Sequence, residues 1–274
     1  MRYKKRPMHK RQSRKADRVD ISIITPFFRG NKYIPDLLDM LNINMKNVDD
    51  SSAHIEYILV NDSPDIKIEY DKSIKYSFRI RCLTNPKNIG IHATRCVGIK
   101  AAKGKYIVMI DQDDRWAENW LNEQWKAIKG NDIVISNALY CQRHVKFLAY
   151  KNEEEMHNCC NKWAMCLNGN KIVSPGQVLI RKDIIPKIWM KCHMKNNGAD
   201  DFLLWILLFE QKHINVVYNP KAIYYHCYSQ DSVSHRSNLM RRSEAEMAAL
   251  IWKYHLTSIV RRIIYRVKYI RNES

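Results

Sequence analysis

Two hydrophobic patterns alternate along the first half of the chain. Short runs of apolar β-formers have the length of buried strands. They lie at 21–25, 54–60, 79–83, 106–110 and 133–136. Apolar positions spaced by three and four residues predict helices between these strands. The predicted helices cover 31–45, 91–102 and 117–129. Strands that alternate with helices in this order predict an α/β fold with a mostly parallel, Rossmann-like sheet and helices on both faces.

The second half of the chain is less regular. Short strands are predicted near 139–150, 177–181 and 214–226, with helices between them. No internal repeat is visible in the sequence. We therefore expect the second half to form a more irregular layer on the same core.

A helical stripe stands out near the end of the chain. It consists of Leu256, Ile259, Val260, Ile263, Ile264, Val267 and Ile270. Five basic residues lie off the stripe or beside it: Arg261, Arg262, Arg266, Lys268 and Arg271. A basic amphipathic helix of this kind either lies in an anionic membrane interface or packs on its own domain with a solvated edge. The sequence leaves both interpretations open.

Length and composition limit the class of protein. A chain of 274 residues with 46% hydrophobic residues can bury one substantial core. The sequence contains no run of 18 apolar residues, so it predicts no membrane span. The N-terminal region has no apolar segment of the kind found in secretory signals, so we expect a cytoplasmic protein. The eight cysteines show no paired Cys-x-x-Cys spacing, and we interpret them as reduced thiols.

The net charge of +18 is concentrated at the two ends of the chain. Residues 1–18 carry +8 and residues 253–274 carry +5, and the N-terminal run lacks apolar periodicity, which predicts a disordered tail. A basic nucleic-acid-binding protein is one class that this charge suggests. However, the basic residues are not arranged on a nucleic-acid-binding motif, so we expect no nucleic-acid partner.

An acidic cluster follows the predicted strand 106–110. Asp111, Asp113 and Asp114 come within four residues of the end of an apolar run, at the edge where an α/β sheet presents ligands. Carboxylates crowded in this way favour a hard divalent cation such as Mg²⁺ or Mn²⁺. The alternative is a solvated turn that caps the helix beginning near Ala117.

Several short motifs occur in a fixed order along the chain. They are 21–28 (ISIITPFF), Asn61-Asp62-Ser63, Asn88-Ile89-Gly90 with Arg95 and Gly98, Asp111-Gln112-Asp113-Asp114, Gly198-Ala199-Asp200-Asp201, and His226 with Ser232-Val233-Ser234. In this order the chain resembles the inverting GT-A glycosyltransferases of family 2, over about 21–234. The resemblance implies the GT-A fold and a sugar-transfer reaction.

The resemblance also implies a donor and a metal. The donor is expected to be a UDP-sugar, whose diphosphate must be neutralised before UDP can leave, and a divalent cation does this. By resemblance, Asp113 is the main metal ligand, Asp111 supports the ribose or the metal, and His226 adds a further contact. Asp114 is expected behind these groups or facing the acceptor.

The nucleotide pocket is predicted at the end of the first strand and at the turn that follows the second. Asp62 and the backbone near Thr25, Pro26 and Phe28 can recognise the N–H and carbonyl groups of uracil, and the Phe28 ring can stack on the base. A helix start with free N–H groups suits an anion. Further donor contacts are predicted at Asn88, Gly90, Arg95 and Asp111.

The acceptor side requires a general base, for which Asp201 is the candidate. It precedes the apolar run 202–209, so it falls on the first turn of a buried helix, where the helix dipole favours an anion. Asp200 is the better candidate for the N-cap. Weaker acceptor contacts are predicted at Asp200, Trp116 and Gln177.

Some positions depart from the family pattern. Asn61 stands where an acid is common, Cys96 where Asn is common, and Asp200 where Glu is usual. Gln112 to Trp116 matches the Q-x-x-R-W motif of processive members, but it precedes Asp201 instead of following it. We therefore expect single addition of a sugar.

These inferences predict three segments and one function. The segments are a tail at 1–18, a catalytic domain at 19–235 divided at 115/116 into donor and acceptor halves, and basic amphipathic helices at 236–274. The expected acceptor is an oligosaccharide or a polyprenyl-diphosphate-linked glycan at the inner face of the cytoplasmic membrane, as in O-antigen or capsule assembly. The sequence leaves open whether the enzyme forms a homodimer. A metal-dependent nucleotidyltransferase is the alternative, but 27–30 is too poor in glycine for a triphosphate loop.

Overall fold

The computed structural model describes residues 18–142, 145–227 and 237–270. The N-terminal stretch 1–17 and the motif Ser232-Val233-Ser234 lie outside the described residues. Nine strands join one sheet within the described ranges, in the order β3-β2-β1-β4-β8-β6-β9-β5, with β7 paired to β6. The strands are β1 (Ile21–Phe27), β2 (Ile55–Asn61), β3 (Ile80–Thr84), β4 (Tyr106–Met109), β5 (Arg115–Trp116), β6 (Ile133–Gln142), β7 (Val145–Leu148), β8 (Val178–Arg181) and β9 (Val216–Cys227).

The helices occupy the connections between strands. They are α1 (Ile34–Lys46), α2 (Ile91–Ala101), α3 (Trp120–Ile128), α4 (Glu153–Asn158), α5 (Lys162–Asn168), α6 (Asp200–Glu210), α7 (Ser237–Lys253) and α8 (Ile259–Ile270). Among the described helices, none has both the length and the apolar character needed to cross a membrane. The predicted elements of the first half are all present. The structure adds β5, a strand of two residues that the sequence did not predict.

The first four strands are parallel, because each α-helical crossover returns the chain to the same end of the sheet. β1 lies between β2 and β4 and is buried along its whole length. Its side chains alternate between the two faces, so that Ile23 packs with α1 and α3 while Ile24 packs with α2. The predicted α/β fold with helices on both faces is therefore confirmed.

The strands of the second half are mixed in direction. β8 runs antiparallel to both β4 and β6, whereas β9 runs parallel to β6 with an irregularity between Ser136 and Asn137. The segments predicted at 133–136 and near 139–150 combine as the long strand β6 and the short strand β7. This half completes the sheet on the side where the acceptor-facing residues were predicted.

The last helix packs in an unexpected orientation. α8 buries Tyr265 and Tyr269 in the core, where they meet Phe202 of α6 edge-on. Four residues of the predicted aliphatic stripe are exposed instead: Ile259, Val260, Ile263 and Val267. The helix therefore packs on its own domain and also leaves an aliphatic face outside, and its place at a membrane stays a prediction.

The carboxyl ends of β1, β2 and β4 meet at one edge of the sheet, since these strands are parallel and adjacent. Phe28 follows β1, Asp62 follows β2, and Asp111 comes two residues after β4. The fold thus brings together three of the predicted donor-site positions.

Candidate active site

The acidic turn after β4 is attached to the end of β1. The Asp114 backbone N–H donates to the Asp111 carbonyl at 3.2 Å, which closes the turn. Between them, the Gln112 side-chain amide pairs with the Phe28 backbone: Phe28 N donates to Oε1 at 3.0 Å, and Nε2 donates to the Phe28 carbonyl at 3.1 Å. Asp113 is half-buried at the tip. One side chain therefore fixes the acidic turn relative to the predicted base-stacking residue.

Arg95 of α2 joins two carboxylates from distant parts of the chain. Its Nη2 donates to both oxygens of Asp111 at 2.7 and 2.9 Å, and its Nη1 donates to Asp200 at 2.7 Å. Burial opposes the charge on Arg95, but Asp111 and Asp200 outweigh it and raise the pKa of the guanidinium. A direct contact between Arg95 and the donor stays a prediction, and both Nη groups are engaged by protein carboxylates.

The pKa of the Asp111 carboxyl is subject to opposing influences. Burial raises the pKa of Asp111 to about 6, Arg95 lowers it, and the neighbouring carboxylates of Asp114 and Asp113 raise it again. Crowding of negative charge in the turn is therefore relieved only partly by the guanidinium.

Asp62 organises the loop that precedes α2. Its Oδ1 accepts from Asn85 Nδ2 at 2.8 Å and from the Ile89 backbone N–H at 2.9 Å, while its Oδ2 accepts from the Gly90 N–H at 3.0 Å. Gly90 has a φ of 85°, a conformation that glycine adopts without strain. Asn88 is exposed and its side chain also accepts from Gly90 N–H at 3.0 Å. The predicted donor residues Asp62, Asn88 and Gly90 thus form one hydrogen-bonded loop.

The end of β1 presents an aromatic ring. Thr25 and Pro26 are buried within the sheet, whereas the Phe28 side chain is 47% exposed. The Arg29 guanidinium lies 5.7 Å from the centre of the Phe28 ring. Phe28 is therefore the group at the end of β1 that a planar base can reach, and Thr25 and Pro26 contribute the backbone that positions it.

His226 of β9 lies beside the acidic turn. Its Nδ1 is 3.6 Å from Asp114 Oδ1, and Ser174 Oγ donates to the other carboxylate oxygen at 3.3 Å. Burial works against protonation of His226, but the carboxylates of Asp114, Asp113 and Asp111 outweigh it and raise the pKa of the imidazole. The structure therefore brings His226 to the acidic turn, as predicted.

The chemistry of this turn fits a divalent cation, although the described residues contain no ready-made group of three or more His, Cys, Asp or Glu side chains arranged to hold one. Mg²⁺ is usually held by one or two carboxylates together with substrate phosphates, so a complete protein cage is not required. Asp113 and Asp111 would supply hard oxygen ligands, and His226 lies beside the same turn. Burial first, and then repulsion from Asp114 and Asp113, raise the pKa of Asp111, and a bound cation would offset both.

The acidic pair lies on the first turn of helix α6, as predicted, but the N-cap is Ala199, so the prediction of Asp200 as the N-cap is wrong. Asp200 is wholly buried against Arg95, and its backbone carbonyl accepts from Trp189 Nε1 at 2.8 Å. Asp201 is 9% exposed, and Asn170 Nδ2 lies 3.4 Å from its Oδ2. Burial and then the adjacent Asp200 raise the pKa of Asp201 to about 7, against the opposing influence of Arg95. A carboxyl with this pKa can accept a proton near neutral pH.

The two other predicted acceptor contacts lie in the interior. Trp116 is 3% exposed, stacks on Trp120 at 4.0 Å between ring centres and donates from Nε1 to the Gly176 carbonyl at 2.8 Å. Gln177 is wholly buried and donates to the Ser136 carbonyl at 2.6 Å. The observed contacts of both side chains are structural, and a role with the acceptor stays a prediction for each.

Sequence reasoning did not predict the contacts of four side chains near this edge. Gln112 positions the acidic turn, Ser174 bonds Asp114, and Asn170 approaches Asp201. An aromatic residue of β6, Tyr140, meets His226 edge-on at 5.6 Å between ring centres. Gln112 lies within the acidic motif, whereas the other three residues lie in strands and loops with no local motif. The proximity of all four depends on pairings between distant segments.

Comparisons with known proteins show what this chain is similar to. The family model described as "Glycosyl transferase family 2" matches residues 22–189. Glycosyltransferase GlyG of Streptococcus pneumoniae is 26% identical over 197 residues, which cover 66% of this chain and 62% of GlyG. A Bacillus subtilis protein named "Putative teichuronic acid biosynthesis glycosyltransferase TuaG" is 29% identical over 121 residues, which cover 42% of this chain and 44% of TuaG. The chain thus spans less than two thirds of the length of these relatives.

The fold is also found among solved structures. The structure of S. aureus TarS 1-349 in complex with UDP-GlcNAc has a TM-score of 0.60 and 16% identity, covering 92% of this chain and 72% of that chain. The same fragment in complex with UDP has a TM-score of 0.57 and 16% identity, covering 92% and 71%. Likeness at this level of identity shows a shared fold.

Proposed function

Because the chain belongs to glycosyl transferase family 2 and has the GT-A fold, we propose that it is an inverting, non-processive glycosyltransferase that moves a hexose from a UDP-sugar to a sugar hydroxyl. One observation carries the proposal: Arg95 holds Asp111 of the acidic turn and Asp200 of the helix that presents Asp201. Donor-side and acceptor-side carboxylates are thereby fixed at one edge of the sheet. Transfer between two bound substrates requires such proximity.

The donor is proposed to bind along the ends of β1 and β2. The exposed Phe28 ring stacks on uracil, and the loop held by Asp62 offers its backbone at the N-terminus of α2, where the helix dipole favours an anion. The UDP and UDP-GlcNAc complexes of TarS support a uridine diphosphate sugar as the donor class.

A divalent cation, Mg²⁺ or Mn²⁺, is proposed to be held by Asp113 and Asp111, with His226 as a further contact. When bound, such a cation neutralises charge on the diphosphate and makes UDP a better leaving group. Arg95 keeps Asp111 ionised and oriented, and Ser174 and His226 hold Asp114 behind it.

Asp201 is proposed as the general base. An acceptor hydroxyl that attacks the anomeric carbon from the face opposite UDP must lose its proton, and attack from that face inverts the configuration. A carboxylate with a pKa of about 7 accepts this proton near neutral pH, and its place on the first turn of α6 stabilises the ionised form. Asn170 orients it from the neighbouring loop.

The acceptor is proposed to be a polyprenyl-diphosphate-linked glycan in cell-surface polysaccharide synthesis, at the inner face of the cytoplasmic membrane. The name of TuaG, which refers to teichuronic acid biosynthesis, supports a cell-surface polymer of this kind. In this proposal 19–115 binds the donor, 116–235 binds the acceptor, and 236–274 lies towards the membrane. The family match disfavours the nucleotidyltransferase and nucleic-acid-binding alternatives.

A panel of nucleotide sugars tests the proposal. In the absence of acceptor, glycosyltransferases hydrolyse their own donor slowly, so release of UDP from one or two members of a panel is expected in the presence of Mn²⁺. Asp113→Asn is expected to abolish this release, and Asp65→Asn, which alters an exposed acid nearby, is the control. Absence of nucleotide release from every uridine, guanosine and thymidine diphosphate sugar would contradict the proposal.

A further inference from the structure

The outer face of α8 is aliphatic. Its four exposed residues, Ile259, Val260, Ile263 and Val267, are each between 44% and 52% exposed and are spaced so that they lie on one side of the helix. We call them the outer stripe. The opposite side of α8 is already occupied, because Tyr265 and Tyr269 are buried in the core. The outer stripe is therefore not needed to attach α8 to its own domain.

Basic side chains border the outer stripe on both sides. On one side, the guanidinium groups of Arg262 and Arg266 lie 5.8 and 4.6 Å from the Trp252 ring centre. On the other side, Lys268 Nζ donates to the Leu167 carbonyl at 2.8 Å. These contacts hold the cations beside the aliphatic side chains, in the arrangement of helices that lie in the interface of anionic membranes.

Helix α5 extends the apolar surface next to α8. Trp163 and Leu167 are 48% and 58% exposed. Their attachment to α8 is direct, since the Arg261 guanidinium lies 5.3 Å from the Trp163 ring centre. Tryptophan is a residue that membrane interfaces favour, because one part of its ring system is apolar and another can donate a hydrogen bond.

A short segment connects this surface to the acceptor side of the site. α5 ends at Asn168, and two residues later Asn170 places its Nδ2 3.4 Å from the Asp201 carboxylate. A surface that rests on the membrane through α5 and α8 would thus lie a few residues from the proposed general base. That proximity suits an acceptor whose lipid remains in the bilayer.

We propose that the outer stripe, together with Trp163 and Leu167, docks the protein on an anionic lipid surface. This inference deepens the proposed function, because it rests on a lipid-linked acceptor. A second copy of the chain fits the surface less well, because the basic borders of two copies would repel one another, whereas anionic lipid headgroups attract them. The chain's net charge of +18 adds to that attraction.

Sedimentation with vesicles tests the docking surface. The full chain is expected to bind vesicles of phosphatidylglycerol mixed with phosphatidylcholine, to bind phosphatidylcholine alone much less, and to be released by salt. Ile263→Glu combined with Val267→Glu is expected to lower binding to the anionic vesicles by about tenfold or more, since two aliphatic groups leave the interface and two negative charges enter it. Equal binding by this variant would overturn the proposal.

Two controls make the result specific. Ile74→Glu introduces a charge at an exposed isoleucine on another part of the surface, at 44% exposure, and is expected to bind vesicles like the unaltered chain. Point substitutions are used because deletion of α8 would also remove Tyr265 and Tyr269 from the core. The thermal midpoint of the double variant is expected to match that of the unaltered chain, which excludes misfolding as the cause.

Two further measurements separate this inference from the proposed function. The double variant is expected to retain donor hydrolysis, because no altered residue belongs to the site. Loss of vesicle binding with retained hydrolysis therefore supports the docking surface. If the unaltered chain binds anionic vesicles through the stripe but hydrolyses no nucleotide sugar, the proposed function fails and the docking surface stands. A dimer in light scattering that the double variant abolishes, without vesicle binding by the unaltered chain, would overturn the docking proposal.

Discussion

Asp111 and Asp200 share a single guanidinium, although they are separated by 89 positions in the sequence. Each accepts from Arg95 at 2.7 Å, and Asp200 and Arg95 are almost completely buried. The loop after β4 and the start of α6 therefore have a common reference point. Since burial of an unpaired carboxylate is costly, removal of the Arg95 guanidinium would destabilise the loop after β4 and the start of α6 at the same time.

Replacement of Arg95 is the first prediction. Arg95→Met leaves the buried Asp200 and the partly buried Asp111 without their cation, and we expect it to lower the free energy of unfolding by about 3–5 kcal/mol. Arg95→Lys keeps the charge but cannot donate to both partners in the same geometry, so a smaller loss of stability with a large loss of turnover is expected. Urea unfolding and initial rates measure the two effects. Arg29→Lys, at an exposed ion pair, is the control, and equal effects at both positions would contradict the prediction.

The second prediction concerns Asp201. Asp201→Asn is expected to lower the rate of transfer by about 10²–10⁴, because the base is lost while UDP binding persists. Calorimetry with UDP and rate measurements on the same preparation check both parts. Near-native turnover by this variant would show that another group removes the proton.

The dependence on pH follows from the pKa of about 7 for Asp201. The base must be deprotonated to act, so kcat should rise as pH increases through about 7 and level off above it. Measurement of kcat at saturating donor reports the pKa values of groups in the enzyme with substrate bound. A kcat that is constant between pH 5.5 and 8.5, or that falls over this range, would argue against Asp201 as the base.

Asp62 gives a prediction about donor affinity. In Asp62→Asn an amide N–H replaces one carboxylate oxygen and faces a backbone donor of Ile89 or Gly90. The loop should lose about 1–3 kcal/mol of hydrogen-bonding free energy, and the KM for the donor should increase about tenfold or more, with a smaller change in kcat. Asp65→Asn is again the matched control. An unchanged KM would mean that the loop at 88–90 does not contact the donor.

Metal dependence can be tested without turnover. UDP binding is expected to weaken after chelation and to recover on addition of Mn²⁺ or Mg²⁺, because a cation held by Asp113 and Asp111 would neutralise charge on the diphosphate. Asp113→Asn should raise the Mn²⁺ concentration needed for half-maximal UDP binding. Identical binding isotherms with and without the cation would refute the proposed metal site.

Gly104 provides a prediction about the fold. A Cβ at this position would lie 2.5 Å from the Ser22 backbone nitrogen and 2.8 Å from the Ile21 carbonyl carbon, where β1 passes. Gly104→Ala should therefore destabilise the protein by about 1–3 kcal/mol, since backbone atoms must shift. Lys103→Ala, at the exposed neighbouring position, should have a small effect, and chemical denaturation distinguishes the two.

The strands and helices of the first half could be predicted because their periodicity is local and strong. The acidic turn, the loop at 88–90 and the start of α6 were also visible as short motifs, and parallel strand ends bring the first two of them together. The bridge through Arg95 was not predicted, since nothing in the sequence near Arg95 indicates that its partners are Asp111 and Asp200.

The orientation of α8 shows a different limit. The aliphatic residues had the spacing of a buried stripe, but Tyr265 and Tyr269 are the residues that pack, because their rings reach Phe202. Periodicity identifies the faces of a helix and does not decide which face meets the core when both contain apolar groups. Trp116 shows a related limit, because the sequence does not reveal whether an aromatic side chain faces a site or the core. Its indole stacks on Trp120 and donates to the Gly176 carbonyl in the interior.

The pairing of Gln112 with the Phe28 backbone has a consequence for donor selection. Under the proposed function, the ring that stacks on the base and the turn that faces the diphosphate are separated by a distance that one amide side chain sets. A nucleoside diphosphate would thus have to span a fixed distance between the Phe28 ring and the acidic turn. A nucleoside monophosphate would be too short to reach both groups. Discrimination by phosphate number would then depend on Gln112, whose side-chain amide pairs with the Phe28 backbone.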